Sequence, residues 1–215
     1  MSIEVKICGV NAPAALAAAV EGGADYVGFA FYPRSPRYVT PEAAHALATQ
    51  VPPRVTKVGL AVDLDDAALA AILEAVPLDL WQLHGGESPA RVAQIRGRFG
   101  LPVMKVIKIA EPADVAAAEP YLRVADRLLF DAKPPKEMTE ALPGGNALAF
   151  DWQLLAGKTW PIPWMLSGGL EPANVAEAAR ISGARAVDVS SGVEDRPGLK
   201  NPDKIRAFLA AAKGA

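Results

Sequence analysis

The 215-residue chain has a single cysteine, Cys8, and only two histidines, His45 and His84. One cysteine excludes an internal disulfide and a thiolate metal cluster, and it fits a reducing compartment. Two histidines in unrelated elements argue against a metal site, and so against a metal-dependent sugar-phosphate epimerase. Neither sign of charge is in excess. The formal net charge is -2, and no basic stripe for nucleic acid or polybasic anchor for a membrane is present. Long apolar runs are also missing: Ala12 to Val20 and Ala67 to Val76 are too short to span a bilayer. Glu4 and Lys6 interrupt the apolar N-terminus and a Gly-Val-Asn turn follows, which is not the pattern of a secretory signal. These absences point to a cytoplasmic protein whose partner is a small molecule.

What is present is an ordinary globular composition, 51% hydrophobic and 21% charged, with no linker or charge run to divide it. One domain over residues 1–215 is expected. β-Branched runs alternate with Ala-rich helical stretches from end to end, the pattern of a parallel sheet with helical crossovers. The strands are read at Ile3-Cys8, Tyr26-Ala30, Val55-Val62, Leu78-His84, Val103-Ile107, Arg127-Asp131, Pro163-Ser167 and Ala186-Ser190. The helices are read at Pro13-Glu21, Pro41-Thr49, Asp66-Ala75, Pro89-Phe99, Pro112-Glu119, Asp151-Leu155, Pro172-Ile181 and Pro202-Ala212. Several open on Pro after a polar residue such as Thr40, Ser88 or Asn201, where the missing N–H costs nothing. Eight strands at this spacing predict an α/β fold, a single (β/α)8 TIM barrel, near the short end of its size range. An open doubly wound sheet is disfavoured because Cys8-Gly9-Val10-Asn11, not Gly-x-Gly-x-x-Gly, follows the first strand. The widest gap, Lys133 to Asp151, holds Gly144-Gly145 and reads as a functional loop.

Polar residues gather at the carboxyl ends of the strands, where barrel enzymes build their sites. Cys8, Arg34, Asp63, His84, Asp131, Gly168-Gly169 and Ser190-Ser191-Gly192 all fall there. By residue type alone each has an ordinary alternative. A free cysteine is commonly a small buried hydrophobe, an Asp at a strand end a cap or turn, and loop arginines such as Arg34 and Arg37 solvated charges. His84 shares a strand face with Gln82, and a histidine satisfied inside the mouth is as good a reading as one that binds a ligand. Gly-Gly pairs frequently just make turns, but two such loops after strands seven and eight lie where barrels bind phosphate.

The ordered segments decide between these alternatives. KICG at 6–9, DYVGFAFYPRSPRYV at 25–39, QLHG at 82–85, LLFD at 128–131, FDW at 150–152, LSGGL at 166–170 and VDVSSGVE at 187–194 together resemble the phosphoribosylanthranilate isomerases. The resemblance runs in family order over nearly the whole chain. It implies an Amadori rearrangement of an aromatic aminosugar phosphate in tryptophan biosynthesis, without metal or redox cofactor, by a monomer or homodimer. It further implies Cys8 as general base and Asp131 as general acid, with Arg34, His84 and Asp188 contacting substrate. Gly168, Gly169, Ser190, Ser191 and Gly192 would hold its phosphate.

Both proton carriers then need tuning. A free thiol titrates near about 8.5, so a neighbouring cation would help, and Lys6 lies on the same strand face about 6 to 7 Å away. A carboxyl with a reference pKa of about 3.9 must keep a proton, for which burial or repulsion from Asp188 is the expected device. Two positions depart from the family pattern: the 144–150 loop reads GGNALAF where Gly-Gly-Thr-Gly is usual, and Ser167 replaces a more usual Ala. A related barrel acting on the histidine-pathway aminoaldose would show paired phosphate loops, and the first half of this chain lacks an obvious second Gly-Gly phosphate loop. A noncatalytic binding protein would be expected to lack Cys8 or Asp131.

Overall fold

The computed structural model describes residues 3–135 and 142–215. Among them, eight parallel strands close into a barrel in sequence order: β1 (Glu4–Cys8), β2 (Tyr26–Ala30), β3 (Thr56–Ala61), β4 (Leu80–Leu83), β5 (Val103–Ile109), β6 (Arg127–Ala132), β7 (Trp164–Leu166) and β8 (Ala186–Val189). The ring closes where β1 pairs with β8, Lys6 standing opposite Asp188. The outer layer consists of α1 (Pro13–Glu21), α2 (Pro41–Ala48), α3 (Asp66–Ala75), α4 (Pro89–Phe99), α5 (Pro112–Ala116), α6 (Val175–Ser182) and α7 (Pro202–Lys213).

The expected caps form. Thr40 accepts from the Ala43 N–H, Ser88 from that of Arg91, and Asn201 from those of Asp203 and Lys204, each just before a Pro at the first helical position. Such bonds satisfy N–H groups that a helix start leaves orphaned, worth about 1 kcal/mol each. Three helices differ from expectation. The one expected over Pro112-Glu119 stops at Ala116, and a separate 3-10 turn follows at Glu119–Tyr121. Residues 152–155 form only a 3-10 turn, begun by Asp151 accepting from Gln153 N–H. The helix expected from Pro172 starts at Val175, because the Asn174 side chain accepts from Glu171 N–H and donates to the Gly169 carbonyl, closing a turn first. A short hairpin, β9 (Glu194–Arg196) and β10 (Leu199–Lys200), was not expected.

Strand alternation produces two cores. Side chains pointing outward pack beneath the helices in one large cluster. Those pointing inward fill the lower barrel with Tyr26, Val58, Leu80, Met104, Leu129 and Met165. Above that apolar plug the inward positions turn polar: Lys6, Gln82, His84, Asp131, Ser167 and Asp188 are all buried. Buried polar groups are costly unless paired, so this layer is where the fold gives up stability for something else.

Candidate active site

A cavity of roughly 760 Å³, counting its opening, lies at the carboxyl ends of the strands. That is within the range of small-molecule sites. Cys8, Arg37, His84, Asp131, Asp188 and Ser190 line it, together with Gly168, Gly169 and Ser191. Most of the expected site residues are therefore brought to one space.

Cys8 ends β1 and is buried, 5% exposed. Lys6, one residue pair below it on the inward face, is fully buried and donates to Asp188 Oδ1 at 2.8 Å. Asp188 Oδ2 accepts from Ser167 Oγ at 3.0 Å, which gives the serine at that position a hydroxyl contact. Lys6 Nζ and Cys8 Sγ flank Gly28, 3.2 and 3.3 Å from where a Cβ would stand. The expectation that Lys6 makes the thiol easily ionised is met only in part. Burial pushes the Cys8 thiol up; Lys6 pulls it down, and burial wins. Burial also works against the Lys6 charge, but the Asp188 and Cys8 partners outweigh it and leave the ammonium firmly protonated.

Asp131 ends β6, three strands round the ring from Cys8. Its Oδ2 lies 3.3 Å from His84 Nε2 and its Oδ1 accepts from the Ala132 N–H at 2.9 Å. Asp188 is held by Lys6 and Ser167, so His84, and not Asp188, is the ionisable side chain in direct contact with Asp131. Behind His84, its Nδ1 lies 3.0 Å from Gln82 Nε2. The chain on either side of His84 is pinned by buried Lys105, which donates to the Leu83 and Gly85 carbonyls and to Glu87. The loop after β6 covers the pair: a Cβ on Gly144 would stand 2.6 to 2.7 Å from the His84 ring and 3.0 Å from Asp131 Oδ2. Only glycine permits that approach. Residues 136–141 of this loop lie outside the described residues.

Arg34 is exposed and does not line the cavity; Arg37 does, and is 5% exposed. The chain returns to the barrel after the loop, Val39 N–H donating to the Ala30 carbonyl, and this turns Arg37 inward. Arg37 Nε and Nη2 each donate to Glu194 at 2.8 Å, and Nη2 also reaches the Gly145 carbonyl. Glu194 accepts from buried Lys200 at 2.6 Å, and Lys200 donates to the Ser190 carbonyl and hydroxyl. Burial would raise the Glu194 carboxyl, but Arg37 and Lys200 together hold it below the usual range. Two cations against one anion leave positive charge under the loop after β8. Glu194 and Lys200 were not expected as site residues, although Glu194 closes the VDVSSGVE segment and Lys200 lies six residues on.

Gly168 and Gly169 face the cavity with φ of +88° and +65°. Ser190 spends its hydroxyl on the Cys8 carbonyl. Gly192 is set back from the lining: a Cβ there would stand 1.9 Å from the Leu170 carbonyl oxygen, so close packing between the two loops already requires a glycine. Among the described residues no group of three His, Cys, Asp or Glu side chains is disposed to hold a metal ion. Nor is any helix among them long and apolar enough to cross a membrane.

The family described as N-(5'phosphoribosyl)anthranilate (PRA) isomerase matches residues 5–211. An N-(5'-phosphoribosyl)anthranilate isomerase of Paramagnetospirillum magneticum is 63% identical, covering 100% of this chain and 99% of that protein. The crystal structure of phosphoribosyl anthranilate isomerase from Thermotoga maritima aligns with a TM-score of 0.88 at 36% identity, over 99% of this chain and 100% of that one. A second isomerase structure, in complex with reduced 1-(o-carboxyphenylamino)-1-deoxyribulose 5-phosphate, aligns with a TM-score of 0.83 at 35% identity, over 99% and 100% of the two chains. This chain belongs to the phosphoribosylanthranilate isomerase family.

Proposed function

We propose that this protein converts N-(5-phosphoribosyl)anthranilate to 1-(2-carboxyphenylamino)-1-deoxyribulose 5-phosphate, the isomerisation step of tryptophan biosynthesis. The observation that carries the reading is the meeting of Cys8 and Asp131, from strands on different sides of the barrel, in one cavity of a chain that matches this family over nearly its whole length.

The chemistry needs one acid and one base. Asp131 gives its proton to the furanose ring oxygen as the C1′–O bond breaks and the anthranilate nitrogen lone pair forms the Schiff base. Cys8 as thiolate then takes the C2′ proton, and the C–H electrons form the enolamine, which tautomerises to the ketone. No atom is gained or lost. The phosphate lies against the backbone N–H groups of Gly168, Gly169 and Ser191, with Ser190 and Lys200 beneath and Gly192, first expected among them, packed behind the loop. The anthranilate carboxylate lies against Arg37, whose Nη1 makes no hydrogen bond among the described residues, in place of the exposed Arg34 first expected. His84 and Asp188 border the substrate on either side. The protein works in the cytoplasm on a small-molecule substrate, as a monomer or homodimer with no nucleic-acid or membrane partner.

The test is direct turnover: phosphoribosylanthranilate is generated in place from anthranilate and phosphoribosyl pyrophosphate, and loss of its fluorescence is followed. The parent accelerates the loss, while Cys8→Ser and Asp131→Asn, folded as the parent, are each slower by about 10² or more, the contribution of a general acid or base. No acceleration by the folded parent would sink the reading. Full activity in the variants would leave the reaction and remove the residue roles.

A further inference from the structure

One polar group in the barrel interior has no part in the chemistry above. Gln82, inward on β4, is fully buried, and its neighbours in the interior below are Leu80, Met104 and Leu129. The fold has no use for an amide there. Among the described residues its Oε1 has no hydrogen-bond partner, an expensive condition for a buried acceptor. Its side chain makes one hydrogen bond among the described residues, from Nε2 to His84 Nδ1, 3.0 Å away, and His84 Nε2 in turn reaches Asp131 Oδ2 at 3.3 Å.

We propose that Gln82 is a positioning residue that acts on Asp131 through His84. A neutral imidazole carries one N–H, and the partner of one ring nitrogen decides which. With the Gln82 amide N–H donating to Nδ1, the ring proton sits on Nε2 and points at Asp131. An imidazolium would set Nδ1–H against that amide N–H, so the contact as built belongs to the neutral ring. This matters for an acid catalyst. A cationic His84 would hold Asp131 permanently as carboxylate, with no proton to give. A neutral His84 with Nε2–H lets Asp131 keep its proton, then stabilises the carboxylate left when the proton passes to the sugar oxygen. The proton count of the step is unchanged; His84 keeps its own.

Other titratable and charged groups stand around this pair: Cys8 on β1, Arg37 from the loop after β2 and Asp188 on β8 line the same cavity, Lys6 lies behind Asp188, and Lys108 on β5 is in register with Asp131. None of them touches His84 Nδ1 among the described hydrogen bonds. Among the described residues Gln82 is the partner of that nitrogen.

The inference rests on Asp131 being the acid, so the first measurement needs no activity. Nitrogen-15 NMR of the ring nitrogens in the parent is expected to show His84 neutral near pH 7, with Nε2 protonated and Nδ1 bare. A protonated Nδ1 there overturns the proposal, whatever the turnover assay has shown. The second measurement uses Gln82→Glu, which turns the donor to Nδ1 into an acceptor. Its kcat falls about tenfold or more, as expected for an impaired general acid, with KM within about twofold. The ratio of variant to parent kcat then rises as pH is lowered, because the introduced carboxyl, once protonated, donates to Nδ1 as the amide did. A ratio independent of pH overturns the proposal. Should that variant not fold, Gln82→Met matches the volume and suits the apolar layer: a tenfold loss of kcat with thermal stability kept or raised supports the role, and parent-like kcat refutes it.

Discussion

The two flanks of the mouth are built on opposite electrostatic plans. On the Cys8 side the group behind the catalytic atom is a full ion pair, Lys6 with Asp188, fully out of solvent on the lysine side. On the Asp131 side it is an imidazole backed by an uncharged amide. The difference follows from what each side must do. A buried thiol resists ionisation, and only a nearby cation offsets that; a buried acid must stay protonated, and a nearby cation would defeat it. A charged pair stands directly behind the group that has to become an anion, and an amide-backed imidazole stands against the one that has to keep its proton.

The sharpest way to break this comparison is to remove the cation. Lys6→Met leaves Asp188 buried and unpaired, at a cost of about 3–5 kcal/mol, readable as a fall in urea midpoint. Lys6→Met with Asp188→Asn recovers most of that stability and does not recover turnover. Recovery of turnover in the double variant would show that the ion pair serves only the fold. Next in size is Arg37→Met, which strands Glu194 with Lys200 and removes the carboxylate contact. It raises KM by at least about tenfold, the scale of a lost charged hydrogen bond. Arg34→Ala, at an exposed position, is expected to change stability by less than about 0.5 kcal/mol and to leave KM alone. Equal effects at the two arginines would overturn the assignment. A smaller effect is expected of pH. Burial holds the Cys8 thiol above its ordinary value, so the thiolate fraction, and with it kcat/KM, keeps climbing as pH rises above neutrality. A plateau already reached below pH 7 would mean that the thiol is depressed.

Much of this arrangement was legible in the sequence, for a physical reason. In a parallel barrel the inward face and the carboxyl end of each strand are fixed by period-two alternation, so Lys6, Cys8, His84, Asp131 and Asp188 could be placed without coordinates. Strand termini were off by a residue or two where turn chemistry, not pattern, ends them. Arg37 was passed over for Arg34 because which loop arginine turns inward depends on the return of Val39 to Ala30, a contact the loop sequence does not display. The structure alternates there, Arg37 and Val39 buried and Tyr38 between them exposed, but the sequence Arg-Tyr-Val carries no polar–apolar alternation that would show it. The Glu194 and Lys200 partnership with Arg37 joins residues more than 150 positions apart, and no local pattern carries such a pairing. The Asp151 turn failed as a helix because five residues with an Asp cap and Gly157 beyond leave no room for a second turn.

The account's central claim, that burial and a paired lysine compete over one thiol, can be measured on that thiol alone because the chain has no other cysteine. Thiolate absorbance in the far ultraviolet, taken as the difference between the parent and Cys8→Ser across pH, titrates Cys8 directly. The account predicts a midpoint above that of a free thiol in the parent, and a higher one still in Lys6→Met with Asp188→Asn, where burial acts without the cation. A parent midpoint below the free thiol, or one that the double variant does not raise, would contradict it.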